Sequence, residues 1–114
     1  MLEISTKKQE GIYHIIITGE VDASSSIELD KQISMALDKG ENKLLINCTG
    51  LSYISSAGLG VFMSYVEPME AEDLKMVIYG LSPKVYNTFE ILGLHQVLTI
   101  KQTEEEAKGY LNEV

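Results

Sequence analysis

An α/β domain built on a mixed, mostly parallel sheet is the fold class that three features of this 114-residue sequence predict. Apolar, β-branched segments alternate with segments of helical periodicity along nearly the whole chain. Two strand-like segments at the start are separated only by a polar turn with a glycine, the mark of a hairpin. The run 43–48 is almost continuously apolar, as expected of a strand covered on both faces. Parallel strands joined by helices imply right-handed crossovers, and the hairpin adds one antiparallel strand. The length suits one domain, taken here as 1–114, with room for a real core.

The elements follow in order. Leu2, Ile4 and Thr6 alternate with polar residues and define a strand over 2–7. The turn 8–11 ends on Gly11, which accepts positive φ, and 12–18 is the hairpin partner. A helix is predicted over 25–39 from Leu29, Ile33, Ala36 and Leu37. Ser25 and Glu28 fit a capping box at its start, and Gly40 fits a left-handed residue at its end. After the strand 43–48, Leu59, Phe62, Val66 and Met69 share one helical face from Ala57 onward, and Pro68 marks that helix's end near Val66 or Glu67. An acidic connector, 70–73, leads to a strand over 74–79. Ser82 and Pro83 then read as cap and first helical residue, with Val85, Phe89 and Leu92 inward and Gly93 as the stop. A short strand, 97–100, precedes a last helix that Thr103 and Glu106 open with a capping box, and Ala107, Tyr110 and Leu111 face inward from it. The total is about five strands and about four helices.

Composition narrows the functional classes. The net charge is −8 and the nine basic residues are scattered, which disfavours nucleic acid and anionic membrane surfaces and favours protein partners. The lone Cys48 cannot form an internal disulfide or a cysteine zinc site, and its apolar setting makes it a buried small hydrophobe. Neither a leader-like N-terminus nor an apolar run approaching the roughly 20 residues of a membrane span is visible, so a soluble cytoplasmic protein without membrane insertion is expected.

The stretch 51–62 carries the chemistry. Ser55 and Ser56 stand at a helix start, where a side-chain oxygen accepts from unpartnered backbone N–H groups. The same place offers a hydroxyl to solvent beside the positive end of the helix dipole, where an added phosphate is tolerated. A catalytic serine would need a glycine at Ile54 to complete a nucleophile elbow, and its base would have to be His14 or His95, neither with an acid nearby in sequence. Gly58 and Gly60 lack the spacing and lysine of a phosphate-binding loop. No pair of histidines or carboxylates has metal-ligand spacing. The remaining reading makes Ser56 a substrate: its phosphorylation adds nearly two charges to a flat patch with Gly58 and Leu59 and acts on a partner. No enzyme activity and no cofactor are expected.

The segment Tyr53-Ile54-Ser55-Ser56-Ala57-Gly58-Leu59-Gly60 resembles the signature of STAS domains of the bacterial anti-sigma factor antagonist family. Gly19-Glu20-Val21-Asp22-Ala23 resembles that family's acidic segment before its first helix, and Gly80-Leu81-Ser82-Pro83 and Glu106-Ala107 match later landmarks. The resemblance implies a STAS-type sandwich. It also implies a protein that, unphosphorylated, binds an anti-sigma factor serine kinase, which holds the ATP, and thereby releases a sigma factor. Phosphorylation of Ser56 by that kinase ends the complex, and a serine phosphatase resets it. By position, Asp22, Ser55, Ala57, Gly58, Leu59 and Gly60 would form the partner-binding edge, on a monomer or weak dimer. The family usually has Asp where this chain has Ser55. Related STAS domains act without phosphorylation as scaffolds or adaptors in signalling and lipid-transport complexes, which is the alternative reading.

Overall fold

In the computed structural model, which describes residues 1–113, five strands form one sheet in the order β1-β2-β3-β4-β5. They are β1 (Leu2–Gln9), β2 (Ile12–Val21), β3 (Lys43–Ile54), β4 (Lys75–Tyr79) and β5 (Ile100–Lys101). β1 is antiparallel to β2, and every other neighbour is parallel. The hairpin closes on the pair Gln9 and Ile12, and both turn residues, Glu10 and Gly11, have positive φ (54° and 78°). A turn of that hand matches the natural twist of the two strands.

Five α-helices pack on this sheet: α1 (Ser26–Asp38), α2 (Ser56–Ser64), α3 (Val66–Ala71), α4 (Pro83–Ile91) and α5 (Glu104–Leu111). Helices α1 to α4 cover one face through Leu29, Ile33, Leu59, Phe62, Met69, Val85 and Phe89. Phe62 and Phe89 meet at the centre with ring centroids 6.3 Å apart. Helix α5 covers part of the other face, setting Ala107 and Leu111 against Ile12, Leu45, Val77 and Tyr79. Leu44 and Leu45 therefore enter different cores, which is why the run over 43–48 is apolar on both faces.

Five expectations change, the first being Leu92, expected to face inward from α4 but 56% exposed at its C-cap. The Ser25 capping box does not form: Ser25 is the residue before α1, but its hydroxyl makes no cap bond and is taken by Asp22 instead. The strand expected over 43–48 continues to Ile54. The helix expected to end near Val66 or Glu67 breaks at Tyr65 and is followed directly by a second helix, α3, in whose first turn Pro68 lies, where its missing N–H is no loss. The last strand is Ile100–Lys101, and 94–96 form a short 3₁₀ turn. The caps at Ser82 and Thr103 form as expected; in the latter, Glu106 N–H donates to Thr103 Oγ1 at 3.2 Å and Thr103 N–H donates back to Glu106 Oε1 at 3.3 Å.

Candidate functional site: the turn between β3 and α2

Two irregularities in the β2–β3 pairing steer the chain into this turn. Between Ile16 and Thr18, and again between Gly19 and Glu20, β3 carries one residue more than β2. Such bulges bend a strand and re-aim its side chains. The inward residues of β3 consequently run Cys48, Leu51, Ile54, three apart rather than two. Gly19 sits at the second bulge with φ +102°, and a Cβ there would run into the Met1 carbonyl. The pairing persists into the turn itself, since Ser55 N–H donates to the Val21 carbonyl at 2.8 Å. That bond brings the start of α2 beside the residue after Val21, which is Asp22.

Ser55 and Ser56 divide the work. Ser55 is the N-cap of α2: it is extended, half-buried, and its Oγ accepts from Gly58 N–H at 3.2 Å. Asp and Ser are about equally good at this position, so Ser55 caps the helix as well as an Asp would, without adding a charge. Ser56 is the first helical residue, is exposed, and its hydroxyl makes no hydrogen bond among the described residues. Ala57 and Gly60 are exposed beside it.

Gly58 and Leu59 are placed differently from the expected docking edge. Both are buried, Leu59 at 2% exposure. A Cβ on Gly58 would stand 2.7 Å from Ile54 Cγ1 and 2.7 Å from Val21 Cγ1, so this glycine lets α2 lie close on the ends of β2 and β3. The two residues shape the edge from beneath and present no side chain to a partner. Gly60 is the reverse case, with nothing within 4 Å of an added Cβ.

Asp22 is exposed and held by its own loop. Its Oδ1 accepts from Ser25 N–H at 2.8 Å, from Ser24 Oγ at 2.9 Å and from Ser25 Oγ at 2.9 Å. The Ser25 backbone bond first, then the Ser24 and Ser25 hydroxyls, pull its pKa down to about 2. The carboxylate is therefore charged at any ordinary pH and fixed in direction. Just past it, Ile27 in the first turn of α1 is 73% exposed. It adds an exposed apolar side chain to the same end of the molecule.

The arrangement lacks the parts of a serine hydrolase. Among the described residues no histidine hydrogen-bonds to either serine. His14 pairs in register with Leu45, ten residues of strand before Ser55, or roughly 30 Å at the usual rise. It is buried, and burial lowers its pKa, with Lys7 and Lys108 adding to the effect. Cys48 is fully buried and burial pushes its thiol up to about 12. Among the described residues no three metal-ligating side chains come together, and no helix is long and apolar enough to cross a membrane.

The turn thus presents the Ser56 hydroxyl, exposed and without a hydrogen bond among the described residues, at the start of α2. The family model for the STAS domain matches residues 3–107, and the chain belongs to that family. The anti-sigma-B factor antagonist of Listeria monocytogenes is 32% identical over 108 residues, covering 95% of this chain and 94% of its own. The crystal structure of an anti-sigma factor antagonist from Mycobacterium paratuberculosis superposes with a TM-score of 0.91 at 15% identity, covering 99% of this chain and 96% of that one. The phosphorylated form of the Bacillus cell fate determinant SpoIIAA superposes with a TM-score of 0.71 at 23% identity, covering 96% and 100%. These two structures attest the fold.

Proposed function

We propose that this protein is an anti-sigma factor antagonist whose docking surface centres on Ser56, and that phosphorylation of Ser56 switches the surface off. The unphosphorylated form binds an anti-sigma factor that is itself a serine kinase, and a sigma factor is thereby released. The kinase transfers the γ-phosphoryl group of its bound ATP to Ser56 Oγ, ADP leaves, and a serine phosphatase later hydrolyses the ester. The chain itself performs no catalysis.

The observation that carries this reading is the division between the two serines. Ser55 is spent on the cap, whereas Ser56 is exposed and unengaged in the first turn of a nine-residue helix. A phosphate there meets the positive end of the helix and leaves the fold standing. A partner packed against Ser56, Ala57 and Gly60 meets nearly two new charges beside the fixed carboxylate of Asp22. The similarity to a named antagonist across 95% of the chain points to the class of partner.

The test is to incubate the protein with the serine-kinase anti-sigma factor encoded in the same genome and ATP, and to map the product by mass spectrometry. One phosphate at Ser56, absent from Ser56→Ala, is the expected result. Phosphate at Ser55 alone, or none, overturns the switch. Partner binding unchanged in Ser56→Asp would instead favour a constitutive adaptor, the reading that the uncharged Ser55 supports.

A further inference from the structure

The sheet has a long open edge at β1, one strand removed from β3. β1 is eight residues long and is paired on one side only, whereas the opposite edge strand, β5, has two residues. An exposed edge is a row of free N–H and C=O groups ready to pair with another strand. The phase of that row follows from two observations. Glu20 N–H donates to the Met1 carbonyl, and the two-residue turn closes on Gln9 and Ile12. In an antiparallel ladder the backbone groups of alternate residues point to opposite sides. Odd-numbered residues of β1 therefore bond to β2, and Leu2, Ile4, Thr6 and Lys8 present their backbone groups outward.

The side chains alternate as well. Leu2 and Ile4 pack toward the core under α1 to α4, and Lys8 reaches Glu41 at 3.2 Å on that face. Glu3, Ser5 and Lys7 occupy the other face and are exposed. Among the described residues neither Glu3 nor Lys7 is in an ion pair, and the nearby Glu104 is bonded to Lys108 at 3.0 Å.

The geometry points to the β1 edge as a two-fold interface with a second copy of this chain, in which Ser5 lies opposite Ser5 of the other copy and Glu3 opposite its Lys7. In this register Leu2 faces Lys8 and Ile4 faces Thr6, each pair exchanging its outward backbone bonds. Glu3 and Lys7 form the intervening pairs without backbone bonds, where side chains stand closest. The two-fold axis makes that ion pair twice, since an isologous contact repeats every interaction. Sliding the strands by one step in either direction sets Glu3 against Ser5 or against Gln9 and loses both ion pairs. Lysines on an edge strand ordinarily discourage pairing; here Glu3, four residues away on the same face, gives Lys7 a partner only in one register. Antiparallel pairing also turns the strand ends of the two copies in opposite directions. The two β3–α2 turns then face away from each other, so one dimer presents two docking sites to two partners.

The test is sedimentation velocity of the full chain over a rising concentration series at low salt, with monomer passing to dimer. E3K and K7E each place like charges opposite one another twice and raise the dissociation constant about tenfold or more, whereas E3K/K7E returns it to within about twofold of the original. Thr6→Pro removes an outward N–H without touching the bonds to β2, and abolishes the dimer while circular dichroism stays unchanged. Ser5→Cys gives a disulfide-linked dimer on oxidation with diamide, because residues opposed in a pair without backbone bonds have Cα atoms about 4.5 Å apart, within disulfide range. Lys31→Cys on α1 does not, and the buried Cys48 does not compete. A chain that stays monomeric throughout, a dimer indifferent to both single reversals, or equal cross-linking of the two cysteine variants overturns the proposal.

Discussion

Gly60 lies in the interior of α2, four residues after Ser56, so the two share one helical face. An interior glycine destabilises a helix by about 1 kcal/mol relative to alanine, and nothing in the fold requires this one: it is exposed and a Cβ on it meets no atom within 4 Å. Gly60→Ala is therefore expected to stabilise the chain by up to about 1 kcal/mol, which raises the melting temperature by about 4 °C for a domain of this size. The same methyl group projects into the surface that a partner is proposed to cover. There it should weaken binding, because overpacking a close contact costs about 1–3 kcal/mol, or about 5- to 150-fold in affinity. Gly109 in α5 is the control, also exposed, helical and open around its Cβ position. Gly109→Ala should stabilise to the same degree and leave binding alone. Gly58→Ala is the opposite control: its Cβ at 2.7 Å from two buried side chains should destabilise by about 1–3 kcal/mol. Thermal unfolding and calorimetric titration with the kinase partner read both quantities. If Gly60→Ala binds as tightly as the parent, this face of α2 is not the docking surface; if it destabilises, the open space around Gly60 is occupied.

Ser55→Ala should destabilise by about 1 kcal/mol through loss of the cap, while Ser56→Ala should stay within about 0.5 kcal/mol; chemical denaturation separates them. Acid should weaken the fold through His14. Its pKa is lowered in the folded protein by burial, then by Lys7 and Lys108, against smaller opposite effects of Glu104 and Glu10. The stabilisation is thus complete above the unfolded value near 6.5 and falls as pH drops below it. The slope should be a fraction of the about 1.4 kcal/mol per pH unit that one fully coupled proton gives, and His14→Leu should flatten it. The Asp22 carboxyl should titrate near 2 by NMR, and Ser24→Ala/Ser25→Ala should move it toward 3.8 while the Ser25 backbone bond retains part of the shift.

The alternation of strands and helices, the caps at Ser82 and Thr103, and the two-sided burial of 43–48 were legible because each rests on local chemistry. What was not legible depended on contacts distant in sequence. Ser25 and Glu28 satisfy the pattern of a capping box, but Asp22 offers Ser25 a charged acceptor at 2.9 Å and takes the hydroxyl. The second half of β3 escaped because two bulges against β2 replace the two-residue alternation with a spacing of three, and periodicity cannot register a bulge. At the site, the positions of Ser55 and Ser56 at a helix start were readable. Which of them is the cap, and that Gly58 and Leu59 lie beneath the surface, follow from the way α2 lies on Val21 and Ile54.

In the proposed switch, that placement would let Ser56 carry a phosphate without disturbing its own fold. A phosphate can switch a protein by breaking its structure or by altering only what the structure presents. Here the groups that hold the turn together are all spent: the Ser55 hydroxyl on Gly58 N–H, the Ser55 N–H on Val21, and the Asp22 carboxylate on Ser24 and Ser25. None of these bonds involves Ser56. Asp22 Oδ1 accepts three bonds from its own loop, so its charge is a neighbour fixed in place when a second negative group arrives. On this proposal the folded chain would stay nearly indifferent to modification of Ser56, and the free-energy change would fall on whatever packs against it. A carboxylate-lined or tightly fitted partner surface meets close to three negative charges where one stood before. In the proposed switch a serine at position 55 would serve as well as an aspartate: it caps the helix equally, and it would leave the change in charge on phosphorylation larger relative to the charge already present.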